Sequence, residues 1–410
     1  MKRPELLAPA GTMEKLKIAI HYGADAVYLG GKAFGLRSLA GNFSVDEIAE
    51  AVEYAHLRGV RVFLTLNAYP DSDELPALRR YIEEIAPIPL DACIAADPGV
   101  IALLKEIAPG KEIHLSTQAN TTNWQSALFW QQQGVKRLNL ARETSLEGIR
   151  QTRAKVTAEL EVFVHGALCI AYSGRCLLSS ILSDRPANKG ECAHPCRWGY
   201  ALVEETRPGR YFPIEENGGG TFIFNSKDLC LLPYLPELIG SGVDSLKIEG
   251  RMKGSYYVAS VVRVYREALD RYCADPAGYS CDPLWLEELQ KVSHRGYTSG
   301  FLFGAPGERD QEYHSRYLRS HQFVAMVEEL LPDGRALIGI RNRLTTGEEL
   351  ELIGPAMKTE RFTLSEMRDS DNDPVDAANP NQRVTVRFPF PVERFDLLRR
   401  ESEDKDIQPS

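Results

Sequence analysis

No stretch of this sequence approaches the ~20 consecutive apolar residues that a membrane-spanning helix requires. Its opening, Met1-Lys2-Arg3-Pro4-Glu5, has no secretory apolar core. These absences predict a cytoplasmic protein. Cysteine is scarce, eight in 410 residues, which excludes a disulfide-stapled scaffold. Positive charge is in deficit: 48 Lys and Arg against 57 Asp and Glu leave −9. A broadly basic nucleic-acid coat is therefore excluded, though a local basic patch is not. Two hydrolytic signatures are missing as well, the His-Glu-x-x-His zinc motif and the Gly-x-Ser-x-Gly nucleophile elbow.

What remains is a core-rich composition, 43% hydrophobic and 26% charged, arranged in alternation. Short apolar runs start near residues 5, 26, 60, 92, 112, 136, 160 and 245. Amphipathic stretches separate them, such as Met13, Leu16 and Ile20, or Ile48, Val52 and Ala55. Ser44 with Glu47, and Thr144 with Glu147, read as capping boxes before the second and sixth helices. Eight strand–helix units predict an α/β fold, a TIM-like (β/α)8 barrel, in preference to a doubly wound sheet. The gap before the eighth strand is long. Its surplus forms a cysteine-rich insertion after strand seven, about residues 166–235, on the face where barrel active sites are built. The barrel is expected to span 1–275 and end in a closing helix, Tyr256 to Tyr272. A linker and connecting helical region follows at 276–322, then a small antiparallel β-barrel domain at 323–400 and a charged, frayed tail at 401–410.

Strand alternation sorts the side chains. Outward positions of a barrel must be apolar, so polar positions point inward. Lys247 and Glu249 on the eighth strand, Glu161 and His165 on the seventh, His114 and Ser116 on the fifth, Asn139 on the sixth and Asn67 on the third are placed inside. Arg251 follows at the mouth. The bland alternative is that Lys247 and Glu249 form a structural ion pair, because buried charges must be compensated.

Five cysteines, Cys169, Cys176, Cys192, Cys196 and Cys230, fall in the insertion. Only Cys192 and Cys196 have the spacing of a zinc knuckle, so structural zinc is the weaker alternative. Iron–sulfur clusters accept more varied spacings, and five thiols exceed the four that a four-iron cluster uses.

The run Glu161-Val162-Phe163-Val164-His165-Gly166-Ala167-Leu168-Cys169, continuing to Gly174-Arg175-Cys176-Leu177-Leu178-Ser179, resembles the signature of the peptidase U32 family at every position. So do Leu6-Leu7-Ala8-Pro9-Ala10-Gly11, Gly190 to Trp198, Asn225-Ser226-Lys227-Asp228-Leu229 and Lys247-Ile248-Glu249-Gly250-Arg251-Met252-Lys253. The resemblance covers the barrel from end to end, and the trailing β domain is similar to that of longer members.

The resemblance implies oxygen-independent hydroxylation, of a quinone ring, an rRNA cytidine or the tRNA wobble uridine, with prephenate as the implied hydroxyl source in the last branch. Length and the β domain favour the tRNA branch. It also implies a [4Fe-4S] cluster held by Cys169, Cys176, Cys192 and either Cys230 or Cys196. Lys247, Glu249, Arg251 and His165 would be the catalytic set, with tRNA, a small anionic co-substrate and a homologous subunit as partners. The family name keeps open a peptidase, with His165 or His194 as base, and a non-catalytic cluster scaffold. Arginines near aromatics in the C-terminal half are candidate RNA contacts: Arg316 and Arg319 around Tyr317, Arg341 and Arg343, and Arg394, Arg399 and Arg400 near Phe395. The alternative for each cluster is ordinary solvated surface.

Overall fold

The computed structural model describes residues 3–36, 41–168, 176, 178–183, 185, 187–195, 201–203, 211–213, 227–304, 317–402 and 406–407. Eight parallel strands close into a barrel: β1 (Glu5–Pro9), β2 (Ala26–Gly30), β3 (Arg61–Leu66), β4 (Ala92–Ala95), β5 (Glu112–Leu115), β6 (Arg137–Asn139), β7 (Glu159–Gly166) and, as the eighth, β11 (Ser245–Ile248). Each pairs with the next, and β11 closes the ring between β7 and β1.

Helices α1 (Met13–His21), α2 (Val45–His56), α3 (Leu75–Ile85), α4 (Pro98–Ile107), α5 (Trp124–Gln132) and α6 (Leu146–Arg153) connect successive strands. Their apolar faces and the outward strand residues form the main core, for example Leu16, Ile48, Val52, Leu64 and Leu138. Ser44 and Glu47 make the expected capping box. The second expected box is shifted by one residue: Ser145, not Thr144, caps α6, with its hydroxyl accepting from Gly148 N. Serine there takes the extended cap conformation and leaves the Thr144 hydroxyl without a partner among the described residues.

The insertion contains α7 (Leu178–Ser183) and a hairpin of β8 (Ala201–Val203) with β9 (Tyr211–Pro213). The chain returns as β10 (Asp228–Cys230), antiparallel to β7, and continues through α8 (Leu235–Gly240) into β11. The closing helix α9 (Ser255–Ala274) and then α10 (Pro283–Gln290) follow, and β12 (Tyr297–Thr298) pairs with β10. Among the described residues no helix is long and apolar enough to cross a membrane.

The C-terminal domain is an eight-stranded antiparallel sheet curled around Val324, Ile338, Leu352, Val384 and their neighbours. Alternating buried positions build it, as along Ala336–Ile340 and Arg383–Val386. In the tail, Asp406–Ile407 pairs with Tyr317–Leu318. The domain packs along α1 and α9. Met326, Ile353 and Leu397 join the barrel's own core cluster, and Tyr22, capping the C-terminus of α1, donates to Ile353 O at 2.9 Å.

Candidate active site at the barrel mouth

The barrel interior is charged at its floor. Arg137 is buried and bonds Glu5 (2.6 Å), Glu159 (2.6 Å) and Glu161 (3.2 Å), while its guanidinium lies over the Phe63 ring. One layer nearer the mouth, Lys247 Nζ donates to Glu161 Oε1 at 2.8 Å and sits over the Tyr28 ring. Burial works against the Glu161 carboxylate, but Lys247 and Arg137 override it and hold the group down at about 2. The expected inward placement of Lys247 and Glu161 is thus observed. The ion pair, however, runs across strands to Glu161, and half-buried Glu249 is held through its backbone, N to His165 O and O from the Tyr257 hydroxyl.

Arg251 folds back over the mouth. It is buried, and its Nη1 donates to Thr65 Oγ1 at 2.6 Å. Its guanidinium lies so close to Gly30 that a Cβ there would displace it, so glycine at the end of β2 leaves room for the arginine's present position. Asn67 and Ser116 brace the rim: Asn67 accepts from Leu36 N (3.1 Å) and donates to Gln118 Oε1 (3.0 Å).

His165 departs from expectation. A β-bulge between Lys247 and Ile248 pairs Ile248 with His165 and breaks the alternation that would aim the imidazole down the barrel. The ring instead stands among Tyr257 and Tyr265 of α9 and Tyr297 of β12. Its Nδ1 is 3.4 Å from the Tyr265 hydroxyl, and burial pushes its pKa down to about 3.

Directly opposite His165 across the antiparallel β7–β10 pair is Cys230, whose Sγ lies 4.0 Å from the same Tyr265 hydroxyl. Burial raises that thiol to about 11. Cys176 and Cys192 are half-buried, and Cys192 Sγ accepts from His194 N at 3.4 Å. Their segment lies at the mouth: Lys189 bonds Asp71 and Glu74 in the loop after β3, and Ala193 N bonds Ser179 Oγ. Cys169 and Cys196 lie outside the described residues. Among the described residues, no three His, Cys, Asp or Glu side chains converge as a metal site.

Two features were missed by sequence reasoning. Arg142 lies 3.9 Å from the centre of the Phe163 ring, and Lys247 lies 5.5 Å from the same ring centre. The buried pair Asp228–Arg295, at 2.7 Å, ties β10 to the segment before β12. By alternation along β7 Phe163 shares the inward face of Glu161, but nothing local to Arg142 announces its partner.

The C-terminal arginines divide. Arg399 is fully buried and clamps Glu288 of α10 and Glu351, with Tyr256 of α9 alongside; this corrects its expected place on an RNA-binding surface. A guanidinium with two carboxylates in reach is a domain fastener. Arg400 pairs with Glu348 and Arg341 with Glu14. Arg343 is exposed, and Arg394 lies over the Phe395 ring. Arg316 lies outside the described residues.

Comparison with known proteins follows the same division of the chain. The profile of peptidase family U32 matches residues 11–312, and that of the peptidase family U32 C-terminal domain matches 319–399. Over 411 residues the chain is 41% identical to tRNA hydroxylation protein P1 of Bacillus subtilis, covering 100% of this chain and 94% of that protein. It is 37% identical to tRNA hydroxylation protein P of Escherichia coli, covering 98% and 97%. It is 31% identical to a protein of Porphyromonas gingivalis named collagenase, covering 97% of each. With barrel and β domain both matched, the chain belongs to peptidase family U32.

Proposed function

We propose that this chain hydroxylates a uridine of tRNA, forming 5-hydroxyuridine at the wobble position without molecular oxygen. The observation that carries this reading is end-to-end similarity, at 41% and 37% identity, to two relatives named for tRNA hydroxylation. The mouth supports it. Arg251, held on Thr65, offers a planar fork suited to a carboxylate, the group an anionic co-substrate such as prephenate would present. Lys247 and Glu161 set the potential beneath it, and Glu249 ends the strand beside it.

A [4Fe-4S] cluster on Cys169, Cys176, Cys192 and either Cys230 or Cys196 belongs to this reading. An all-thiol donor set suits iron–sulfur chemistry, and the buried Cys230 thiol stays protonated until a cation takes the proton's place. When bound, the cluster supplies one-electron chemistry at the mouth. The chain's own residues hold the substrates, exclude water and keep His165 neutral.

The peptidase reading with His165 as base is weaker on the same geometry. A cysteine protease needs a thiolate beside an imidazolium. Here burial pushes Cys230 up and His165 down, so the pair is neutral on both sides.

Nucleoside mass spectrometry of tRNA from a deletion strain tests the reading. Loss of 5-hydroxyuridine and its derivatives, restored by the gene, is expected. Unchanged tRNA would overturn it.

A further inference from the structure

Two loops border the mouth: residues 116–123 after β5 and 140–145 after β6. They are joined by Thr117 Oγ1 donating to Leu140 O (3.2 Å) and Ala141 N donating to Thr121 O (3.0 Å). In and beside them, five side-chain oxygens are buried with no hydrogen-bond partner among the described residues: Asn120 Oδ1, Thr121 Oγ1, Asn139 Oδ1, Glu143 Oε2 and Thr144 Oγ1. Buried polar atoms are nearly always paired, because water has been removed from them. Orphaned oxygens gathered in one region therefore point to a bound group that pairs with them.

Asn139 is the deepest of them to face the barrel axis. It is 2% exposed and lies two residues after Arg137, whose guanidinium is inside the barrel against Glu5 and Phe63. Strand alternation puts Asn139 on the same inner face, one layer nearer the mouth. In the circular strand order, β5 and β6 lie across the barrel from β1 and β2. Arg251 rests on Gly30 of β2 and Thr65 of β3. One wall of the mouth is thus cationic, and on the other Asn139 brings an unpaired carboxamide oxygen to the inner face.

We propose that the β5–β6 wall is the seat of the substrate base, with Asn139 reading the N3 edge of a uracil. This rests on the tRNA reading above and assigns that substrate's orientation. Uracil presents a single ring N–H, at N3, between two carbonyls. The Asn139 carboxamide accepts from N3–H and donates to an adjacent carbonyl. Asn120 is left for the ribose, whose 2′-hydroxyl distinguishes RNA from DNA. Seating N3 on this wall turns the opposite C5–C6 edge of the ring toward Arg251 and Lys247. The carbon to be hydroxylated then faces the side where an anionic co-substrate would be held. A loop nucleotide reaches such a site with little unstacking.

The test is binding of a tRNA anticodon stem-loop, by fluorescence anisotropy, with uridine or 3-methyluridine at the wobble position. The unaltered protein should lose about tenfold in affinity on N3-methylation, the size of one lost hydrogen bond. Asn139→Ala should bind both RNAs equally. Equal binding of both RNAs by the unaltered protein would overturn the Asn139 assignment while leaving the tRNA reading intact, and it decides the matter even if the variant fails to fold. Undiminished discrimination by a folded Asn139→Ala would overturn it too. Failure of the unaltered protein to bind either RNA would remove the tRNA reading itself.

Discussion

Replacing Lys247 by Met asks whether the lysine belongs to the barrel's frame or to its chemistry. Met keeps the length and bulk of the side chain and removes the ammonium. Lys247 Nζ and Glu161 Oε1 are 2.8 Å apart with both side chains buried. With Arg137, the lysine holds Glu161 at about 2 where 4.5 is ordinary. That fall favours the folded state at neutral pH, while burial, which pushes the Lys247 ammonium below its ordinary value, works the other way. Because the folded value lies below the unfolded one, the contribution is complete above about pH 4.5 and is lost as pH drops toward 2. Lys247 and Arg137 share the effect, and a buried carboxylate would be left with one cation fewer, so Lys247→Met should cost about 2–4 kcal/mol. Urea unfolding at pH 7 should show a lower midpoint with an unchanged slope, and acid unfolding should begin at higher pH. The double variant Lys247→Met/Glu161→Gln should recover much of the loss, since both charges leave together. Unchanged stability in Lys247→Met, with hydroxylation abolished, would refute this reasoning and move the lysine into the reaction.

Arg251→Ala should abolish tRNA hydroxylation while leaving fold and iron content intact, and Arg251→Lys should rescue little of it, because an ammonium lacks the planar fork. Unfolding of Arg251→Ala in a thermal melt would make the residue structural instead. Anaerobically purified protein should be brown and hold about four irons. Cys169→Ala, Cys176→Ala and Cys192→Ala should each abolish iron binding, and only one of Cys196→Ala and Cys230→Ala should; iron content unchanged in all five would place the metal elsewhere.

The barrel was legible because its signal is repeated eight times. A buried strand needs an apolar run, and each covering helix needs an apolar stripe, so the expected strand starts fall within a residue of those observed. The inward placement of Lys247, Glu161, His114 and Asn139 followed from alternation alone. What alternation cannot show is an extra residue. The bulge beside Ile248 is invisible in the sequence, and it turned His165 to the tyrosines of α9. Partners across the ring were hidden for a related reason: Lys247 and Glu161 are 86 positions apart, whereas Glu249 was the candidate within sight. Arg399 misled in the opposite way. Its neighbours in sequence are Leu398 and Arg400, which suggest a surface strand, and the carboxylates that bury it come from α10 and another strand.

That burial changes how the C-terminal domain must be understood. A detachable RNA-binding module would meet the barrel through a small, wet surface. Here Met326, Ile353 and Leu397 complete the barrel's apolar core, and Arg399 shares Glu288 with Arg263 of α9. Cutting the chain before the domain would expose those residues and leave Glu288 short of a cation, so loss of function in such a truncation would report damage to the barrel as readily as loss of an RNA contact. The domain also reaches the rim of the mouth, where Arg341 bonds Glu14 at the start of α1, and Lys15 beside it bonds the backbone of Arg251. A side chain of the β domain is therefore two contacts from the arginine proposed to hold the co-substrate. If tRNA lies across both domains, its backbone would meet exposed Arg343 near that rim while the loop base enters the barrel. The rigid clamp at Arg399 would then fix the distance between the two.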